Sequence, residues 1–202
     1  MEPVTAAIVY YSATGTVHAL AQAAAEGAEK AGAQVRIRKV RELAPESAID
    51  LNPAWGQHLR DTAAVPEAAL DDVAWADVVV FGTPTRFGTP ASQLKAFIDT
   101  TGPLWQEGRL AGKVYTALTA SQTAHGGQEA TLLALSHVFH HWGGIIVPPG
   151  YTDPVQFKAG NPYGTSHVAG DGPPGDVTRE AARHQARRAV NVAAALKSGR
   201  GA

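Results

Sequence analysis

Ala6-Ala7-Ile8-Val9-Tyr10-Tyr11 runs straight into Ser12-Ala13-Thr14-Gly15-Thr16, and the join decides the fold. An unbroken apolar run of strand-forming residues, with no polar alternation, predicts a strand buried on both faces, as in parallel sheets. Past the turn, Val17, Leu20, Ala21, Ala24 and Ala28 recur at helical spacing, and Gly32 stands where a glycine ends a helix. Strand, tight turn and helix in this order form the first unit of an alternating α/β chain.

Further along, the pattern repeats. Val35, Ile37 and Val40 suggest a second strand, and the interleaved Arg36, Arg38 and Lys39 place it near a sheet edge. Val78 to Gly82 is the third strand and leads into Thr83-Pro84-Thr85-Arg86-Phe87-Gly88. A helix over about 90–101 puts Leu94, Phe97 and Ile98 on one face before Gly102 and Pro103 stop it. Val114 to Thr119 is the fourth strand. Leu132, Leu135, Phe139 and Trp142 then share a helical stripe, Ile145 to Val147 reads as the fifth strand, and a closing helix spans about 178–197.

Two stretches lack a pattern. Between Leu43 and Pro66, Pro45, Pro53 and Gly56 interrupt short apolar islands, which predicts an insertion lying over the sheet. From Gly150 to Asp176, six Gly and four Pro fall without periodicity, long for an uncommitted loop and expected to serve a function or an interface. Right-handed crossovers predict a doubly wound, five-stranded parallel sheet of order 2-1-3-4-5, with helices on both faces, in one domain covering residues 1–202. Ligands bind such sheets beyond the carboxyl ends of the strands where the winding reverses, here between strands one and three.

Composition narrows the function. The 202 residues are 45% hydrophobic and 17% charged, with a formal charge of −1 that offers nothing to a phosphodiester backbone or an anionic membrane. Nucleic acid is therefore excluded as an expected partner. The chain has no Cys, which removes thiol nucleophiles and iron–sulfur clusters and leaves redox chemistry to a borrowed cofactor. Met1 to Thr5 carries no basic leader, and no apolar run approaches the roughly 18 residues of a membrane span, so a cytoplasmic location is expected.

The turn formed by Ser12, Ala13, Thr14, Gly15, Thr16 and Val17 gathers hydroxyls and backbone amides at the positive end of the first helix, which suits a phosphate. It holds no Lys or Arg and lacks both G-x-x-x-x-G-K-[ST] and G-x-G-x-x-G, so a flavin mononucleotide fits better than a nucleoside triphosphate or a dinucleotide. The plainer alternative is that Ser12 and Thr14 only cap the helix. No metal site is expected: the adjacent His140 and His141 point about 100° apart on a helix.

Tyr10-Tyr11-Ser12-Ala13-Thr14-Gly15, Gly82-Thr83-Pro84-Thr85-Arg86-Phe87-Gly88, His125-Gly126-Gly127-Gln128-Glu129, His140-His141 and Pro162-Tyr163-Gly164 together resemble the successive motifs of the WrbA-type NAD(P)H:quinone oxidoreductases, flavodoxin-like proteins that bind FMN. The resemblance runs from about residue 6 to residue 195. It departs at Thr14, where the family often has an aromatic residue, at Thr16, where several members have His, and in the loop 120–125.

The resemblance implies that residues 12–17 hold the FMN phosphate and that Pro84, Thr85, Arg86, Phe87 and Gly88 lie on one side of the isoalloxazine. Ala120, Ser121, Gln122, Thr123, Ala124, His125 and Gly126 would cover the other side. Arg86 would steady the anionic reduced ring; its alternative is a surface charge paired with Asp99 or Asp153. His141 would sit at the flavin, while His140 complements the helix dipole. Trp105 and Thr14 would line the substrate pocket, Trp105 being otherwise a packing anchor.

The implied reaction is a two-electron, ping-pong reduction of a quinone by NADH or NADPH. Competing classes are a one-electron FMN carrier, which is typically strongly acidic where this chain is near neutral, and a regulatory protein without turnover. The long Gly- and Pro-rich segment, with Val155, Phe157 and Tyr163, points to a homotetramer, a dimer of dimers whose sites are finished by neighbouring chains. The alternative is that it folds back over 43–66 and buries Trp55 within one chain.

Overall fold

A computed structural model describes residues 2–200. Strand β1 (Thr5–Tyr10) lies between β2 (Gln34–Lys39) and β3 (Val78–Arg86), and β5 (Val114–Ser121) follows β3, all parallel. The order β2-β1-β3-β5-β6, closed by β6 (Ile145–Ile146), is the expected doubly wound sheet. Two short strands extend it: β4 (Thr89–Pro90) folds back antiparallel on β3, and β7 (Ser166–Val168) pairs parallel with the end of β5.

Alternation along β1 divides the interior. Ala6, Ile8 and Tyr10 face a core shared with α1 (Thr16–Lys30) and α9 (Asp176–Arg200). Ala7, Val9 and Tyr11 face the other, shared with α4 (Leu70–Trp75), α5 (Ser92–Asp99), α6 (Gly102–Gln106) and α7 (Gln128–His141). On that second face Phe139 stacks on Phe81 and Tyr115 with ring centroids 5.9 and 5.0 Å apart, and Trp142 closes the cluster. Each such pair adds about 0.5–1.5 kcal/mol to the area it buries. At the β2 edge, Arg36 and Arg38 both reach the buried carboxylate of Asp72, at 3.2 and 3.0 Å, and the row of charge blunts an otherwise open strand.

The patternless stretches are ordered. Residues 43–66 form α2 (Glu46–Ile49) and α3 (Pro53–Asp61), the latter opened by Asn52, whose Oδ1 accepts from the Ala54 amide at 3.1 Å, with Pro53 in its first turn. Residues 150–176 hold α8 (Pro154–Ala159) and β7; the expected fifth strand is β6, and β7, which was not expected, pairs farther along the same edge of β5, so that this edge is covered in two pieces. Val147 N donates to Tyr115 O (2.9 Å), and Thr119 N donates to Thr165 O (3.0 Å). Between them the buried Gln185 of α9 donates from Nε2 to Ala117 O (2.8 Å) and accepts at Oε1 from the Thr165 amide (2.7 Å). The helix expected over 90–101 is α5, which ends at Asp99; Gly102 and Pro103, expected to stop it, open the separate short helix α6. Among the described residues no helix is long and apolar enough to cross a membrane.

Helices α1 and α9 meet through small residues. A Cβ on Gly27 would lie 2.2 Å from the carbonyl oxygen of Arg183, a backbone atom with no room to retreat. Gly27→Ala is expected to lower stability by about 3 kcal/mol, because the helices must separate. Urea unfolding at constant m-value would show this; an unchanged midpoint would refute the tight seat of α1 on α9.

Candidate functional site

Beyond the carboxyl ends of β1, β3 and β5 lies a cavity of about 310 Å³, lined by Ser12, Ala13, Thr14, Thr16, Val17, Asn52, Trp55, Pro84, Thr85, Arg86, Ala120, Ser121, Gln122 and Ala169. It occupies the point where the winding reverses, as the sheet order requires. Members of all three expected loops reach it.

The first loop ends in Gly15, left-handed at φ 97°, whose amide donates to Ser12 Oγ at 3.1 Å. Ser12 thus braces the turn rather than the helix, and α1 has no side-chain cap. Its first backbone bond is Ala19 N to Gly15 O, 2.9 Å, so the amides of Thr16, Val17 and His18 have no partner among the described residues. Val17 is buried against Gly82, where a Cβ would come within 2.9 Å of Val17 Cγ1 and 3.0 Å of Tyr10 Cβ. The missing side chain lets the open helix end settle onto the sheet.

The second loop is pinned from below. Thr83 Oγ1 accepts from the Ala91 amide (3.0 Å), Thr119 Oγ1 donates to Thr83 O (2.8 Å), and the hydroxyls of Thr131 and Thr85 are 2.6 Å apart. At its tip Phe87 has φ 53° and a fully exposed ring, which stands outside the cavity lining. Arg86 lines the cavity; among the described residues its guanidinium makes one hydrogen bond, to Thr85 O at 3.1 Å, and pairs with no carboxylate. Asp99 is taken by Lys95 and Asp153 caps α8, so neither alternative partner for Arg86 is used.

In the third loop, Ala120, Ser121 and Gln122 reach the cavity, while Thr123, Ala124, His125 and Gly126 close the turn beside it. Ser121 Oγ donates to Thr123 O (2.6 Å) and accepts from Gln128 Nε2 (2.8 Å), which also donates to His167 O (3.0 Å). The β7 segment therefore shapes this wall and supplies Ala169 to it.

Asn52 and Trp55 arrive from the insertion, where no expectation placed site residues. Their anchor is Glu42. Its Oε2 accepts from Tyr11 Oη and Trp55 Nε1, both at 2.9 Å, and its Oε1 from Gln93 Nε2 at 2.8 Å and the Leu43 and Ala44 amides at 2.8 and 2.9 Å. Burial opposes its ionisation, but the hydrogen bonds from Ala44, Gln93, Tyr11 and Trp55 outweigh it and hold the carboxyl below its ordinary range. The Asn52-Pro53 start of α3 was readable as a helix signal; the long-range Glu42 contact was not.

His141 and Trp105 are brought together, but not to this cavity. Trp105 Nε1 donates to His141 O at 3.1 Å, and both line a second, shallow cavity with His137 and Trp142. The direction of α7 is the reason. The helix leaves the carboxyl edge at Gln128, runs back about 21 Å, and the chain re-enters the sheet at Ile145 opposite Val114, the first residue of β5. Within one chain these two side chains stand at the opposite edge of the sheet from the three loops.

The profile of the NADPH-dependent FMN reductase family matches residues 9–155. An NAD(P)H dehydrogenase (quinone) of Deinococcus radiodurans is 50% identical over 195 residues, covering 96% of this chain and 98% of that protein. A protein of the same description from Sinorhizobium fredii is 41% identical over 94% of this chain and 96% of its own length. Among solved structures, a flavodoxin, WrbA-like protein from Agrobacterium tumefaciens has the same fold, with a TM-score of 0.64 at 24% identity over 95% of this chain and 98% of that one.

Since folding lowers the Glu42 pKa, its carboxylate stabilises the insertion at neutral pH, and the contribution is lost as the pH falls through the lowered value. The protection of residues 46–61 against hydrogen exchange, relative to the intrinsic rate at each pH, should fall sharply in acid. In Glu42→Gln the same residues should exchange fast already at pH 7, with little further change in acid. Equal protection in both proteins at pH 7 would remove Glu42 as the anchor.

Proposed function

Because the chain belongs to the NADPH-dependent FMN reductase family, and within it to the WrbA-type NAD(P)H dehydrogenases (quinone), we propose that it carries two electrons from NADH or NADPH to a quinone by way of FMN. The observation that carries this reading is the polarity of the cavity. Thr16 and Val17, whose amides are open as is that of His18 behind them, line it together with Arg86, whose guanidinium pairs with no carboxylate among the described residues. Small or flat groups, Ala13, Pro84, Ala120 and the Trp55 indole, make up the wall with them.

This donor set fits FMN. The three amides and the hydroxyls of Ser12, Thr14 and Thr16 would hold the phosphate, each hydrogen bond to a charged oxygen contributing about 1.5–3 kcal/mol. Bound there, FMN supplies a two-electron relay that a nicotinamide donor and a quinone acceptor use in turn, a ping-pong order. The chain's own residues orient and screen. Arg86, with no carboxylate partner among the described residues, would supply fixed positive charge to offset the negative charge that a flavin gains on reduction. Thr85, held by Thr131, fixes the backbone on which Arg86 sits, and Gln128 holds the wall of residues 120–122. Phe87, with its strained φ and exposed ring, extends that side beyond the cavity.

His141 and Trp105 reach such a cavity only from another copy. A homotetramer in which each site is finished by a neighbour accounts for their place at the far edge and for the exposed rings of Phe87, Trp105, Tyr151, Phe157 and Tyr163. Against the one-electron carrier stands the near-neutral net charge, where such carriers are typically strongly acidic.

Calorimetry should show FMN binding at least tenfold more tightly than riboflavin, and the loaded protein should oxidise NADH or NADPH faster when benzoquinone is present. Equal affinities would remove the phosphate from residues 12–17; binding without oxidation would leave the regulatory class. His141→Ala is expected to slow quinone turnover more than His140→Ala. Co-expressing Gly15→Val chains with Trp105→Ala/His141→Ala chains should give mixed oligomers more active than either variant alone. No recovery would mean that each site is complete within its own chain.

A further inference from the structure

Two imidazoles stand behind the open amides of α1, and nothing above uses them. His18, in the first turn of α1, has Nδ1 2.5 Å from the phenolic oxygen of Tyr10. Its ring centroid is 5.5 Å from that of His58, which α3 carries in from the insertion. His58 packs on the loop itself: a Cβ on Gly15 would lie 3.5 Å from His58 Nδ1 and 3.9 Å from its Cε1. Both ring nitrogens of His58 are without a hydrogen-bond partner among the described residues.

The charged groups facing the pair are few. Lys39 comes from β2, with Nζ donating to Thr62 O at 2.6 Å; Asp61 lies on α3; Glu42 and Glu67 line the small cavity that His58 shares with Tyr10, Tyr11, Ser12 and Lys39. Burial is the largest influence and holds both imidazoles below their ordinary range; each also feels Lys39, and Asp61 partly offsets this at His58. Without an anion the pair is neutral at pH 7.

We propose that His58, backed by His18 as a positioning residue, is the titratable cationic part of the phosphate site, supplying on demand the positive charge that residues 12–17 lack. A phosphate dianion resting on the amides of Thr16, Val17 and His18 draws one proton from solvent onto His58, and the imidazolium donates toward the anion or the backbone around Gly15. No covalent bond changes; the reaction is proton uptake linked to binding. Affinity for a phosphate monoester therefore rises as the pH falls through the raised His58 pKa of the complex, while affinity for the same ring system without phosphate does not. This rests on the FMN reading, and the two can fail separately.

The test is an NMR titration of the His58 Cε1–H resonance in the full chain, alone and with FMN, riboflavin or inorganic phosphate. FMN and inorganic phosphate should each raise the His58 pKa by about one unit or more, and riboflavin should leave it in place. His58→Gln should weaken FMN roughly tenfold at pH 6.5, leave riboflavin binding unaltered as the control for folding, and flatten the pH dependence of the FMN-to-riboflavin affinity ratio. His18→Gln should have a smaller effect in the same direction. An unshifted His58 pKa in the FMN complex, or an unchanged affinity ratio in His58→Gln, overturns the proposal while leaving the cofactor in place. Wild-type protein that does not prefer FMN to riboflavin overturns both.

Discussion

Three glycines set how closely α1 can lie to its neighbours. Gly15 takes the left-handed turn that aims the helix, Gly82 leaves room for Val17 over Tyr10, and Gly27 lets the helix touch the backbone of α9. A side chain at either of the last two would lift the helix by the width of a methyl group. The open amides would then rise away from the wall formed by β3 and β5, and the cavity would lose its polar end. Everything ascribed to the site depends on this clearance, which is set by atoms that are absent.

A second constraint works through charge. The Glu42 carboxylate gathers Tyr11 from just past β1, Gln93 from α5 and Trp55 from α3 into one half-buried network. It converts a short-helix insertion, which has little apolar surface of its own, into a wall of the cavity. The same insertion brings His58 to the back of the loop, so the anchor that positions Trp55 also positions the imidazole. A buried carboxylate with all its lone pairs engaged costs little once ionised, but losing one partner leaves a poorly solvated charge.

The sheet was legible because its strands are continuous apolar runs, and order followed from the handedness of the crossovers. Ser12 to Val17, Arg86 and Ala120 to Gln122 converge because they end the strands flanking the reversal. What stayed hidden depends on distance in sequence. Ser166-His167-Val168 has no strand signature of its own and pairs with β5 by register alone. Trp55 needs Glu42, and Gly15 meets His58 across the fold. His141 carries a family motif, but the antiparallel run of α7 sends it to the far edge of the sheet, a matter of helix length and direction.

The two-piece cover of the β5 edge has a consequence for how such a protein can change. Along the edge of β5 the carboxamide of Gln185 stands where a peptide group of the missing residues would be, offering one donor to Ala117 and one acceptor to Thr165. It is a surrogate for backbone, supplied by α9 rather than by the strand itself. Residues 147–165 can accordingly leave the sheet and return without exposing the ladder they depart from. Because the cost of a longer excursion grows only with the logarithm of its length, this seam is the place where the chain can gain or shed whole segments while register, cavity and core are conserved.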